Sequence, residues 1–299
     1  MQFFKLLGLG FKNYFKGINF LITHKLYWFV IFPIIIFVGL YNLGHYFEAL
    51  EWTISYDLKH NIGEIETING LIWMTLKIIF YDQLYYMFTK FTMYFVIICL
   101  APVLAIVSEK IEEKLTGNKY KWNFFQLVKD IFRAMKLNLR LILIEYAIVL
   151  IFILIGTLIG GVTKYVLVSV IPILIGFYFY GFGYIDYINE RRRLDIPQSI
   201  HFVSKHRGLA IAIGSIFSIC FLSFNYVFIK FDTIAIDTNS QILWGSLLVV
   251  TFILASVAPL LAVTSATLSM HELVDLSKNQ YALKKEEDEE TKKDGESIE

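Results

Sequence analysis

Glu145 is the one acid set well inside a long apolar run, residues 141–160. A carboxylate at membrane depth is expensive. It is kept either for ion coupling or for structural pairing with a neighbouring helix. Arg140 lies five residues back, on a different side of a helix, so the two do not pair directly. Lys129, Arg133, Lys136 and Arg140 fall together on one helical face, with Phe124, Val128, Ile131, Met135 and Leu139 on the other. Such a basic stripe either snorkels towards lipid phosphates or draws anions to a vestibule. Arg191-Arg192-Arg193 reads as a topology anchor at a helix end. Pro33, Pro102, Pro172 and Pro259 sit inside apolar stretches, and only Pro197 is in a polar one. Membranes tolerate such prolines, and broken helices there often border a binding or conduction site.

Other chemistries find no residues to carry them. Cys99 and Cys220 lie in apolar runs and read as small buried hydrophobes. No histidine has metal-ligand spacing with a cysteine or another histidine, so neither metal nor cofactor is expected. No Walker loop, metalloprotease helix or serine-hydrolase elbow is present, which argues against an enzyme. The formal net charge of +1 argues against nucleic acid as a partner.

The elements that must position these residues are membrane helices. The chain is 57% hydrophobic and 18% charged, with a mean hydropathy of +0.59. Six stretches approach or exceed the roughly 20 apolar residues that cross a bilayer: about 26–43, 89–108, 141–160, 166–185, 208–229 and 242–268. With both termini in the cytoplasm, 22 of the 27 lysines and arginines fall inside and 5 outside. The expectation is an all-α polytopic protein of the inner (plasma) membrane, with about six spans, proline-broken helices and amphipathic interfacial helices. The stretch 70–108 exceeds one span. It is either a helix projecting beyond the bilayer or an interfacial helix followed by a span.

Residues 1–276 read as one helical membrane domain. Its first 23 residues form an interfacial amphipathic helix in contact with membrane lipids. Phe4, Leu7, Phe11, Phe15 and Ile18 share one face, and Lys5, Lys12 and Lys16 another. Gly8, Gly10 and Gly17 weaken this helix, which is expected to form only on the membrane. Residues 277–299 are charged and read as a disordered cytoplasmic tail. Small residues recur at four-residue spacing in Gly156/Gly160, Ala210/Gly214/Ser218 and Ala258/Ala262/Ala266. These seams serve packing within the chain or contact in a homo-oligomer.

Tyr14-Phe15-Lys16-Gly17, Leu21 and Phe29-Val30-Ile31-Phe32-Pro33 resemble the opening segment of the CysZ-type sulfate permeases, in the broader etoposide-induced membrane-protein family. The likeness continues at Ala101-Pro102, Glu109, Ile111-Glu112 and Leu115-Thr116-Gly117. It returns at Asp130, Arg133, Met135-Lys136, Tyr184 and Asp186-Tyr187, then at Ala262-Val263 and Ser265-Ala266-Thr267. The resemblance implies an integral membrane permease for a small inorganic anion, sulfate foremost. The alternative is a non-transporting scaffold or envelope-biogenesis protein. It also implies an anion-binding role for Lys25, joined by Arg133 and Arg140. Where the permeases carry adjacent arginines, this chain reads His24-Lys25-Leu26-Tyr27-Trp28, and lysine lacks the fork that grips an oxyanion bidentately. The hairpin 208–268 is also longer than the permeases' half-penetrating one, and both of its runs can cross fully.

Overall fold

The computed structural model describes residues 2–61, 68–120, 124–234 and 238–278, and every regular element among them is helical. In order these are α1 (Gln2–Thr23), a 3-10 turn (Leu26–Val30), α2 (Ile31–Asn61), α3 (Ile68–Thr116) and α4 (Phe124–Ile159). Then come α5 (Gly161–Tyr165), a π-helical turn (Val166–Val170), α6 (Ile171–Arg191), α7 (Ile196–Lys205), α8 (Arg207–Ile234), α9 (Thr238–Val274) and a last 3-10 turn (Leu276–Lys278). Among the described residues, six segments are long and apolar enough to cross a membrane: Leu26–Leu50, Thr92–Thr116, Val128–Ile159, Gly161–Arg191, Arg207–Phe231 and Ser240–Val274. The chain is an all-α polytopic membrane protein, and each arm of the late hairpin has the length of a full crossing.

The stretch 70–108 lies within a single helix. α3 runs 49 residues, about 70 Å at the α-helical rise, against a hydrocarbon core of about 30 Å. It therefore projects well beyond the bilayer, packed against α2. Two of the four expected helix breaks do not occur, because α3 runs on through Pro102 and α9 through Pro259. Pro33 and Pro172 stand in the first turns of α2 and α6, after the 3-10 and π-helical turns. There a missing N–H costs little and the fixed φ suits a helix start. Gly160 and Gly161, at φ +75° and +59°, turn the chain from α4 into α5.

Small residues decide which helices touch. A Cβ on Gly181 of α6 would lie 1.8 Å from the Ala210 carbonyl oxygen, and one on Gly214 of α8 1.9 Å from that of Phe177. The two backbones are in contact, which is how small-residue seams join helices in lipid. Ala258, Ala262 and Ala266 of α9 are likewise buried.

α1 belongs to the same core. Its buried stripe is Leu6, Gly10, Asn13, Tyr14, Gly17 and Leu21, while Phe4 and Phe15 face outward. The glycines that weaken it in isolation are contact points. A Cβ on Gly10 would meet Ala212 at 2.6 Å, and one on Gly17 would meet Thr264 at 3.2 Å. Ser265 donates to the Gly10 carbonyl at 3.0 Å, Asn13 to Ser269 at 3.0 Å and Lys16 to Glu272 at 2.8 Å. The tail expectation falls almost wholly on residues 279–299, outside the described set.

Candidate functional site

Two polar layers lie between α3, α4 and α6. The first sits where α6 ends. Arg133 of α4 donates to both oxygens of Asp186, at 2.6 and 3.1 Å, to the Leu194 carbonyl at 3.0 Å and to Glu190 at 3.4 Å. Ser199 of α7 donates to Asp186 at 2.6 Å, and Asn189 to Ser199 at 3.0 Å. α7 is set for this by a capping box at its first turn, in which Asp195 and Gln198 satisfy each other's backbone N–H groups. Alongside, Arg191 donates to the fully buried Glu112 of α3 at 2.9 Å, and Tyr120 donates to the same carboxylate. A cavity of about 10 Å³ between Asp130, Ala134, Tyr187 and Glu190 completes the knot. Arg192, half-buried with its guanidinium over the Phe202 ring, is drawn below the usual arginine range by lost hydration.

This knot pins three spans and α7 at one end of the bundle. It sets two guanidiniums, Arg133 and Arg191, against the carboxylates of Glu112, Asp130, Asp186 and Glu190. The planar fork of Arg133 is already filled by Asp186, so it is not open to an oxyanion. Arg191 is more than a topology anchor, since its side chain is largely buried on Glu112.

The second layer lies deeper. Glu145 is 5% exposed and accepts a hydrogen bond from Tyr94 of α3. The Tyr180 ring of α6 lies tilted against that of Tyr94, at 4.8 Å between centroids. Gly176 leaves room for the carboxylate, since a Cβ there would lie 3.4 Å from Glu145 Oε1. Between the layers, Asn138 donates to the Ala134 carbonyl at 2.9 Å, and its buried Oδ1 has no partner. Asp130, Ala134, Asn138 and Glu145 therefore line one face of α4, at the spacing that returns to the same side of a helix.

The three residues expected to bind an anion are not gathered. Lys25 is exposed at φ +57°, at the elbow between α1 and the 3-10 turn. That turn packs on α1, α2, α3 and α9, whereas α4 packs on α3, α5, α6 and the π-helical turn. Arg140 is exposed on α4, as are Lys129 and Lys136, while Arg133 turns inward to the knot. Glu145 pairs with Tyr94 and stands apart from Arg140, as their helical positions require. Tyr94, Tyr180, Glu190, Tyr120 and Ser199 escaped the sequence reading. Asp186 and Glu190 are one helical turn apart at the end of an apolar run, which was a usable signal for a buried acidic pair.

Residues 13–224, more than half of the chain, match the model of the family described as Sulfate transporter CysZ/Etoposide-induced protein 2.4. No curated protein matches the chain. The matched segment holds both polar layers and the Lys25 elbow, and stops short of α9.

Proposed function

Because the chain belongs to the sulfate transporter CysZ/etoposide-induced protein 2.4 family, we propose that it is a permease for a small inorganic anion, with sulfate the foremost substrate. The observation that carries this reading is the extent of the match. It takes in four of the six spans whole, most of the fifth, and the polar face of α4 between α3 and α6. The charge bias of the loops supports an inner-membrane protein with both termini in the cytoplasm. In that orientation the Arg133 knot lies on the cytoplasmic side. Lys25 and Arg140 are exposed, as are Lys129 and Lys136, and can meet an arriving anion. No catalytic role is assigned to any residue.

A second reading, a non-transporting scaffold or envelope-biogenesis protein, is favoured by one observation. The inward-turned Arg133 is held by Asp186 and Glu190, as in a structural clasp. Uptake of labelled sulfate into liposomes containing the purified chain separates the two. Uptake above that of empty liposomes, competed by unlabelled sulfate and not by chloride at equal ionic strength, supports the permease. No uptake across a broad concentration range, by protein that remains folded and monodisperse, favours the scaffold. Lys25→Met should lower uptake without altering thermal stability, since an exposed charge contributes little to the fold.

A further inference from the structure

At the end of the bundle opposite the knot, α2 and α8 are held apart by aromatic rings. Phe37 meets Phe221 at 5.7 Å between centroids, and Tyr41 meets Phe228 at 5.4 Å. The gap contains two adjoining cavities, of about 190 and 310 Å³, which share Phe37, Tyr41, Phe224 and Phe228. The larger continues between Val38, Val249 and Phe252, and all its walls are apolar apart from the Tyr41 hydroxyl. The smaller reaches His45, Glu48, Thr92 and Asn225.

The polar residues all stand near ends of their membrane segments. His45 and Glu48 precede the end of Leu26–Leu50, Thr92 begins Thr92–Thr116, and Asn225 precedes the end of Arg207–Phe231. Phe37, Val38, Val249 and Phe252 lie two to four helical turns further in. The groove is thus polar at the bilayer surface and apolar within it. Its walls belong to spans, so the medium at its mouth is lipid. A neighbouring helix, about 10 Å across with its side chains, does not enter a gap bridged by single ring contacts, whereas a hydrocarbon chain does. At the polar end the Glu48 carboxylate lies 3.1 Å from His45 Nδ1. A carboxylate there suits a headgroup carrying an ammonium with free N–H donors.

We infer that this groove holds one amine-bearing phospholipid of the surrounding bilayer, its headgroup at His45 and Glu48 and one acyl chain along Phe37, Phe224 and Phe252. The site is separate from the anion reading and stands without it.

Native mass spectrometry of the full chain tests it. The protein is purified in mild detergent and offered equal amounts of phosphatidylethanolamine and phosphatidylcholine with the same chains. Wild type should retain one phospholipid, with ethanolamine favoured over choline by about fivefold, the upper scale of one exposed ion pair. Val249→Trp, at a 59% exposed position on the groove wall, should lose the adduct. Val250→Trp, at 53% exposure but off the groove, should keep it. Glu48→Gln should equalise the two lipids. The inference is overturned if wild type carries no adduct, or if Val249→Trp retains it. It is also overturned if both tryptophan variants lose the adduct alike, or if Val249→Trp instead breaks a dimer of the chain.

Discussion

The two halves of α8 solve the same packing problem in opposite ways. Its first half carries Gly208, Ala210, Ala212, Gly214 and Ser218, and two other helices press against its backbone. A Cβ on Gly208 would lie 2.3 Å from the Phe3 carbonyl oxygen, against 1.9 Å for the Gly214 contact with α6. Its second half carries Phe221, Phe224 and Phe228, whose rings keep α2 at a distance and leave a groove. In lipid no hydrophobic effect draws helices together, so the side chain at the contact decides between backbone contact and a gap. Glycine and alanine give many dispersion contacts and a rigid seam. Phenylalanine gives an opening that the bilayer itself can fill. The rigid half lies beside the polar layers, and the open half lies away from them.

Several substitutions would break or sharpen this contrast. The largest effect is expected at the seam. Gly181→Ala places a methyl against the Ala210 backbone, which cannot yield as a flexible side chain would. It should cost more than about 3 kcal/mol and leave little monodisperse protein, as judged by size-exclusion chromatography of a fluorescent fusion. A normal elution profile and melting temperature would mean that the helices do not touch there.

Next comes the knot. Arg133→Ala leaves Asp186, 3% exposed at its side chain, without its cationic partner. A loss of about 3 kcal/mol is expected from melting in detergent. Adding Asp186→Ala should restore part of it, because the pair acts as a unit. Strictly additive losses would show that the two groups do not depend on each other.

A smaller loss, about 1–2 kcal/mol, is expected for Tyr94→Phe, which removes a donor from buried Glu145. Following with Glu145→Gln should then have little further effect on stability. If Glu145→Gln alone abolishes sulfate uptake while the melting temperature holds, the carboxylate serves transport as well as packing.

The smallest effects belong to open positions. Phe228→Ala in the ring-spaced half should cost about 1 kcal/mol or less, because one face of the groove is already unfilled. Gly8→Ala, with open space around it, should stabilise α1 by about 0.5–1 kcal/mol through helix propensity, whereas Gly10→Ala should destabilise it. If both glycine variants move the melting temperature the same way, α1 does not dock through Gly10.

Much of this molecule is legible along the chain alone. The six spans, the single long helix as one of two readings of residues 70–108, and the small-residue seams follow from hydropathy and spacing. Those are local sums, and a bilayer of fixed thickness reads them without reference to the rest of the fold. Four of the residues that carry the family resemblance, Glu112, Asp130, Arg133 and Asp186, converge on one knot. The sequence marks them as a set without showing that they meet. What only the tertiary structure decided is how each helix is turned. Arg133 shares a basic stripe with Arg140, yet one points into the core and the other out of it. Gly10 is a weak point in an isolated helix and a contact in the bundle. Pro102 is a breaker by type, and α3 runs through it. Each of these depends on which neighbour lies across the interface and on its register, a relation between segments up to some 250 residues apart, as Asn13 and Ser269 are. Composition and periodicity define the faces of a helix, but packing alone assigns each face its partner.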